Sequence, residues 1–122
     1  MSNLVAFIIE DEIDLADIFS ESLRAAGFQP EIIYDGRLAS ERLAETAPDL
    51  IVLDLHLPGL DGCDLLVQIR NDPRLSASRV IVATADHNMT IGLPHKPDLV
   101  LLKPISFSQL RDLSIRLKKM MQ

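Results

Sequence analysis

The chain has 122 residues, 48% of them hydrophobic, a single cysteine (Cys63) and a formal net charge of −6. That length and apolar content suffice for one domain spanning 1–122 with its own core, held by neither a disulfide framework nor a cysteine metal cluster. The acidic balance argues against direct nucleic-acid binding, and no stretch is apolar for long enough to cross a membrane.

LVAFII (4–9) is continuously apolar and suits a strand buried on both faces. No basic region precedes it and no small-residue cleavage site follows, so it does not read as a secretory leader. Leu15, Ile18, Phe19, Leu23 and Ala26 then fall at helical spacing, and Gly27 is placed to end that helix. FQPEIIY (28–34) reads as a second strand, and Pro30 marks it as an edge because proline cannot donate to a ladder. Asp35 is positioned to cap a second helix carrying Leu38, Ala39 and Leu43, closed by Ala47–Pro48. LIVLD (50–54) is the third strand, followed by a helix with Leu65, Leu66 and Ile69 that stops at NDP (71–73).

RVIVAT (79–84) and LVLL (99–102) read as the fourth and fifth strands. Between them, DHNMTIGLPHKPD (86–98) carries Gly92, Pro94 and Pro97. Helix interiors do not tolerate proline, so this segment predicts one short turn near 87–92 or no helix. The last helix starts at a capping box of Ser106 and Gln109 with an Ile105–Leu110 staple, and Leu110, Leu113 and Leu117 line one face. Arg116, Lys118 and Lys119 at its end suit the helix macrodipole.

Strand–helix alternation with short connections implies a parallel sheet covered by helices on both faces. In open sheets of this kind chemistry gathers at the carboxyl ends of the strands. Those ends carry Glu10 and Asp11, Asp54, Thr84 and Lys103. A strand order of 2-1-3-4-5 would bring all of them to one edge. Clustered carboxylates repel and need a cation, and hard oxygen ligands with room for water suit Mg²⁺. Asp11 and Asp54, with Glu10 as a further candidate, could hold it and keep Asp54 ionised as a nucleophile for phosphoryl transfer. The Thr84 hydroxyl and the compact charge of Lys103 could each take a phosphoryl oxygen. Singly, each residue has a plainer explanation as a turn former, helix cap, strand residue or surface lysine. Their recurrence at the same end of successive strands favours the joint reading.

IIEDE (8–12), PDLIVLDLHLPGLDG (48–62), VIVATA (80–85) and LLKPIS (101–106) resemble, as a set, the CheY-like receiver domain of two-component response regulators. The resemblance covers nearly the whole chain. It implies a flavodoxin-like (βα)5 doubly wound sheet, here with a degenerate fourth helix. Asp54 matches the position that accepts phosphate from a sensor histidine kinase or a histidine phosphotransfer protein. Glu10 and Asp11 match the Mg²⁺-binding acidic pair, and His56 matches the position whose backbone carbonyl is a further metal ligand. Thr84 and Lys103 match the hydroxyl and the lysine that meet the phosphoryl group. The Lys103–Pro104 bond matches one that is cis in the family. His56 and Asp86 stand where the family borders the phosphoryl group and tunes its hydrolysis.

Two departures accompany the resemblance. The interval from Thr84 to Lys103 is shorter than usual, and Val100 stands where the family commonly has an aromatic ring. The usual output surface is therefore expected to be reshaped, and the output partner is open. The expected protein is a cytoplasmic phosphorelay module, catalytic only toward its own phosphorylation and autodephosphorylation. The alternative is a scaffold of the same fold that signals without phosphate. A flavodoxin-like cofactor binder would need a glycine- or hydroxyl-rich phosphate loop where EDEID (10–14) stands. An aspartate-nucleophile phosphohydrolase would need a second Asp where His56 stands.

Overall fold

The computed structural model describes residues 3–93 and 95–121; Pro94, counted among the breakers above, lies outside them. The elements run β1 (Leu4–Ile9), α1 (Ile13–Ala25), β2 (Phe28–Ile33), α2 (Gly36–Glu45), β3 (Leu50–Asp54), α3 (Gly62–Asn71), β4 (Arg79–Thr84), β5 (Leu99–Leu102) and α4 (Phe107–Met121). The five strands form one parallel sheet in the order β2-β1-β3-β4-β5. This is the doubly wound topology expected. Pro30 lies on the β2 edge, where its missing N–H costs no ladder bond.

Each face of the sheet carries its own core. Ala6, Ile8, Leu50, Val52, Ile81, Ala83 and Leu101 face α1 and α4, while Phe7, Ile9, Ile51, Leu53, Val80 and Val82 face α2 and α3. The alternation follows from the period of two along each strand. The helix caps form as read. The Leu38 amide donates to Asp35 Oδ1 at 2.8 Å, and the Gln109 amide donates to Ser106 Oγ at 3.0 Å. Gly27 ends the first helix at φ 95°, in the left-handed region open to glycine.

Two apolar residues assigned to helix faces lie outside the core. Ile18 and Leu38 are exposed. Ala16, Phe19, Leu23 and Ala26 complete the buried stripe of the first helix, and Ile18 falls at its margin. Similarly, Ala39 and Leu43 fill the α2 stripe and Leu38 is left in the first turn.

The amino-terminal edge of the sheet is tied by two equivalent clasps. Pro48–Asp49–Leu50 and Pro97–Asp98–Leu99 each place an aspartate just before a strand. Asp49 exchanges bonds with Val5, accepting from its amide and donating to its carbonyl, both at 2.8 Å. Asp98 does the same with Val80 at 2.7 and 2.8 Å, and also holds Arg70 and Arg79. Burial would raise the Asp98 carboxyl, but the Val80 amide and the two guanidinium groups outweigh it and hold the carboxyl below its ordinary value of 3.8. A depressed carboxyl pKa stabilises the fold above the unfolded-state value, and that contribution fades as pH falls through the depressed value. Asp98→Ala is therefore expected to cost about 1–2 kcal/mol at pH 7. In urea unfolding the deficit should shrink toward zero as pH falls below the ordinary aspartate value.

Candidate functional site

At the opposite edge of the sheet, the strand ends converge. Glu10 follows β1 and is buried; its amide donates to the Ile33 carbonyl at 3.0 Å, which continues the ladder one residue past the strand. Asp11 beside it is exposed. Asp54 closes β3, opposite Ala83 of β4, and is only 5% exposed. The Lys103 amide donates to the Thr84 carbonyl at 2.8 Å, extending β5 past its last strand residue, and the Lys103–Pro104 bond is cis as expected. These backbone bonds aim the Lys103 side chain across β4 toward β3 and β1.

Lys103 Nζ donates to Glu10 Oε1 at 2.7 Å and to Asp54 Oδ2 at 3.4 Å. The His56 amide donates to Asp54 Oδ1 at 3.0 Å, and the Glu12 amide to Glu10 Oε2 at 3.2 Å. One ammonium thus serves two buried carboxylates. Oxygens of Glu10, Asp11 and Asp54 all lie within 4.8 Å of one another. Burial pushes the Glu10 carboxyl up to about 7, the Asp54 charge adds to this, and the bond to Lys103 opposes it. Burial would lower the Lys103 ammonium, but the Glu10 bond and the charge of Asp54 outweigh it and hold it above its ordinary value. The site carries more negative than positive charge, with an exposed carboxylate at its mouth. A hard divalent cation fits this donor set, and Mg²⁺ in particular keeps several waters beside one or two carboxylates.

The sequence-assigned residues Glu10, Asp11, Asp54 and Lys103 are brought together. Thr84 stands at the same edge, fully buried, but its hydroxyl is turned aside. Thr84 Oγ1 accepts from the Asp86 amide at 3.1 Å and has no hydrogen bond to Asp54 among the described residues. The imidazole of His56 lies on the exposed residue, and its amide is the group that meets Asp54. Asp86 caps the short turn that follows it, accepting from the Asn88 amide at 2.9 Å.

Two glycines that sequence reasoning passed over pack against Asp54 and the loop that follows it. A Cβ on Gly62 would stand 2.4 Å from the Asp54 carbonyl oxygen and 2.5 Å from Leu55 Cα. A Cβ on Gly36 would stand 1.9 Å from the Leu60 carbonyl oxygen. Both follow a capping aspartate, Asp61 and Asp35. The repeated Asp–Gly pair was the available signal, and it reads locally as no more than a helix start.

A family model described as the response regulator receiver domain matches residues 6–114. Over 103 residues the chain is 31% identical to the DNA-binding response regulator MtrA of Mycobacterium tuberculosis, covering 84% of this chain and 45% of that protein. The chain therefore spans about half the length of the curated relatives it matches. Among solved structures, it resembles a CheY-like receiver domain from Methylobacillus flagellatus with TM-score 0.79 and 27% identity, covering 95% of this chain and 99% of that one. It also resembles the receiver domain of the Francisella response regulator 1452 with TM-score 0.82 and 26% identity, covering 98% and 100%.

Proposed function

Because the chain belongs to the response regulator receiver domain family, we propose that it is a phosphoacceptor module of a His–Asp relay, with Asp54 as the acceptor. The observation that carries this reading is the single ammonium of Lys103 set among three carboxylates at the carboxyl edge of a parallel sheet. An Asp54 carboxylate oxygen attacks the phosphorus of a phosphohistidine on a sensor kinase or phosphotransfer protein. The P–N bond breaks, the imidazole leaves with its electron pair and takes up a proton, and an acyl phosphate forms on Asp54. Hydrolysis of that bond by water returns the carboxylate, so the chemistry is confined to the protein's own phosphorylation and its reversal.

Glu10, Asp11, Asp54 and the His56 backbone carbonyl would hold Mg²⁺. When bound, the ion would neutralise charge between the carboxylates and the incoming phosphoryl oxygens. Lys103 moves from Glu10 toward the phosphoryl group, a short step because it already lies 3.4 Å from Asp54. Thr84 exchanges its bond with the Asp86 amide for a phosphoryl oxygen, and the loop after β4 moves with it. An output domain or protein reads the altered surface.

Calorimetric titration checks the metal half of this reading. The protein is expected to bind one Mg²⁺, and Asp11→Ala to weaken that binding by more than about tenfold, or 1.4 kcal/mol. Asp11 is exposed, so the substitution should leave the fold intact. Equal affinity in both proteins would remove Asp11 from the site.

A further inference from the structure

The side chains of the site come from the ends of β1, β3, β4 and β5, and β2 supplies none. The carboxyl end of β2 nevertheless bonds to the backbone of two segments that carry the metal ligands named above. The Ile33 carbonyl accepts from the Glu10 amide at 3.0 Å. Further along, the Gly36 amide donates to the Pro58 carbonyl at 2.9 Å. Pro58 lies in the loop that joins β3 to α3, two residues beyond His56.

That loop has little else to hold it. Between His56 and Asp61 only Leu57 and Leu60 pack against the core, and both are half-buried. At its start the His56 amide donates to Asp54 Oδ1 at 3.0 Å, and at its end the Gly62 amide donates to the Leu55 carbonyl at 3.2 Å. In the middle the Pro58 carbonyl takes two amides, that of Leu60 at 3.1 Å from its own turn and that of Gly36 from the β2–α2 junction. Gly36 opens α2, and the first amides of a helix have no partner within it, so this donor is available for a bond between loops. The junction is itself fixed, because Gly36 is buried and Asp35 Oδ1 accepts from the Leu38 amide at 2.8 Å. The approach is backbone to backbone. A Cβ on Gly36 would stand 1.9 Å from the Leu60 carbonyl oxygen and 2.8 Å from the Leu60 amide nitrogen. A side chain at this position would drive the two loops apart.

We propose that Gly36 is a positioning residue for the metal site: its bond to Pro58 fixes the loop that carries the His56 carbonyl in the same frame that fixes Glu10. Gly36 touches no ligand of the ion and acts only through that loop. The proposal rests on the reading that Glu10, Asp11, Asp54 and the His56 carbonyl hold Mg²⁺. Groups behind the ligands of a metal govern its affinity by holding those ligands in place, and Mg²⁺ is demanding because it requires near-octahedral geometry. The coupling is reciprocal, so a bond that strengthens metal binding is itself strengthened by bound metal.

Two measurements on the full chain test this. Calorimetry compares Mg²⁺ affinity in wild type, Gly36→Ala, Asp11→Ala and Asp98→Ala. Gly36→Ala should bind about tenfold more weakly than wild type. Asp98→Ala, destabilised at the far edge of the sheet, should keep the wild-type affinity. Amide exchange followed by NMR in the wild type reads the same coupling without a substitution, and it decides the matter if Gly36→Ala does not fold. Saturating Mg²⁺ should slow exchange of the Gly36 amide several-fold more than that of the Asp98 amide, which donates to the Val80 carbonyl at the far edge. Wild-type affinity in Gly36→Ala, an equal loss in Asp98→Ala, or equal slowing of the two amides would each overturn the proposal. Weaker binding by Asp11→Ala would then leave the metal assignment standing. No Mg²⁺ binding by the wild type would overturn both.

Discussion

Lys103→Ala is expected to destabilise the metal-free protein by about 3–5 kcal/mol at pH 8, the usual cost of stripping one partner from a buried ion pair. Glu10 and Asp54 have almost no access to water, and Lys103 is the ammonium that serves both. The sign of the pH dependence follows from Glu10. Its carboxyl is raised from 4.5 to about 7 in the fold, so between those values the folded state holds more protons than the unfolded chain. Stability attributable to Glu10 is present below 4.5 and is lost as pH rises through the folded value. Removing the ammonium pushes that carboxyl higher still, so the variant's deficit should be largest above pH 7 and should shrink toward pH 5. Saturating Mg²⁺ should also reduce it by supplying a substitute cation. Urea unfolding at pH 5 and pH 8, with and without Mg²⁺, measures both effects. A deficit independent of pH and metal would mean that Lys103 acts through packing and not through charge.

Gly62→Ala is expected to damage folding and phosphoryl transfer together. The added methyl would meet the Asp54 carbonyl oxygen and Leu55 Cα, backbone atoms that cannot swing aside as a flexible side chain can. Overpacking of this kind costs about 1–3 kcal/mol and sometimes more. The strand end that carries Asp54 must then shift, and a displacement of about 1 Å at a reacting group can slow its chemistry by about 10²-fold. Gly92→Ala is the matched control. Its site has nothing within 4 Å, but its φ of 75° strains any other residue by roughly 1–2 kcal/mol. Gly92→Ala should therefore lose stability and keep its rate of phosphate incorporation. Comparable slowing in both variants would show that the loss follows stability and not the placement of Asp54.

Much of this was written in local patterns. The runs 4–9, 50–53 and 80–83 are continuously apolar because both faces of a central parallel strand are buried, and each strand was legible for that reason. The acidic and basic groups at the strand ends were legible because polar residues stop such runs abruptly. Pro97 and Gly92 announced that 86–98 forms no α-helix among the described residues, only the turn His87–Thr90, because their backbone limits do not depend on context.

Most of what escaped depends on contacts between segments far apart in the chain. Nothing near Lys103 indicates that its ammonium lies closer to Glu10 than to Asp54, because both carboxylates come from strands far from it in the chain. The Thr84 hydroxyl could be assigned to the edge but not aimed, because the local bond to the Asp86 amide decides its rotamer. Asp49 and Asp98 carry no local signal, because their partners Val5 and Val80 lie on neighbouring strands. Gly36 and Gly62 look permissive in sequence, yet each is required by a backbone from another loop. The exposure of Ile18 and Leu38 marks the same limit, because helical spacing defines a stripe but not its width.

The central claim, that Asp54 accepts a phosphoryl group, is tested most directly by mass spectrometry of the protein after incubation with phosphoramidate and with a panel of phosphorylated histidine kinases, with and without Mg²⁺. One phosphoryl group should appear in the wild type only when Mg²⁺ is present, and none in Asp54→Ala. An adduct that persists in Asp54→Ala, or no adduct from any donor in the wild type, would contradict it.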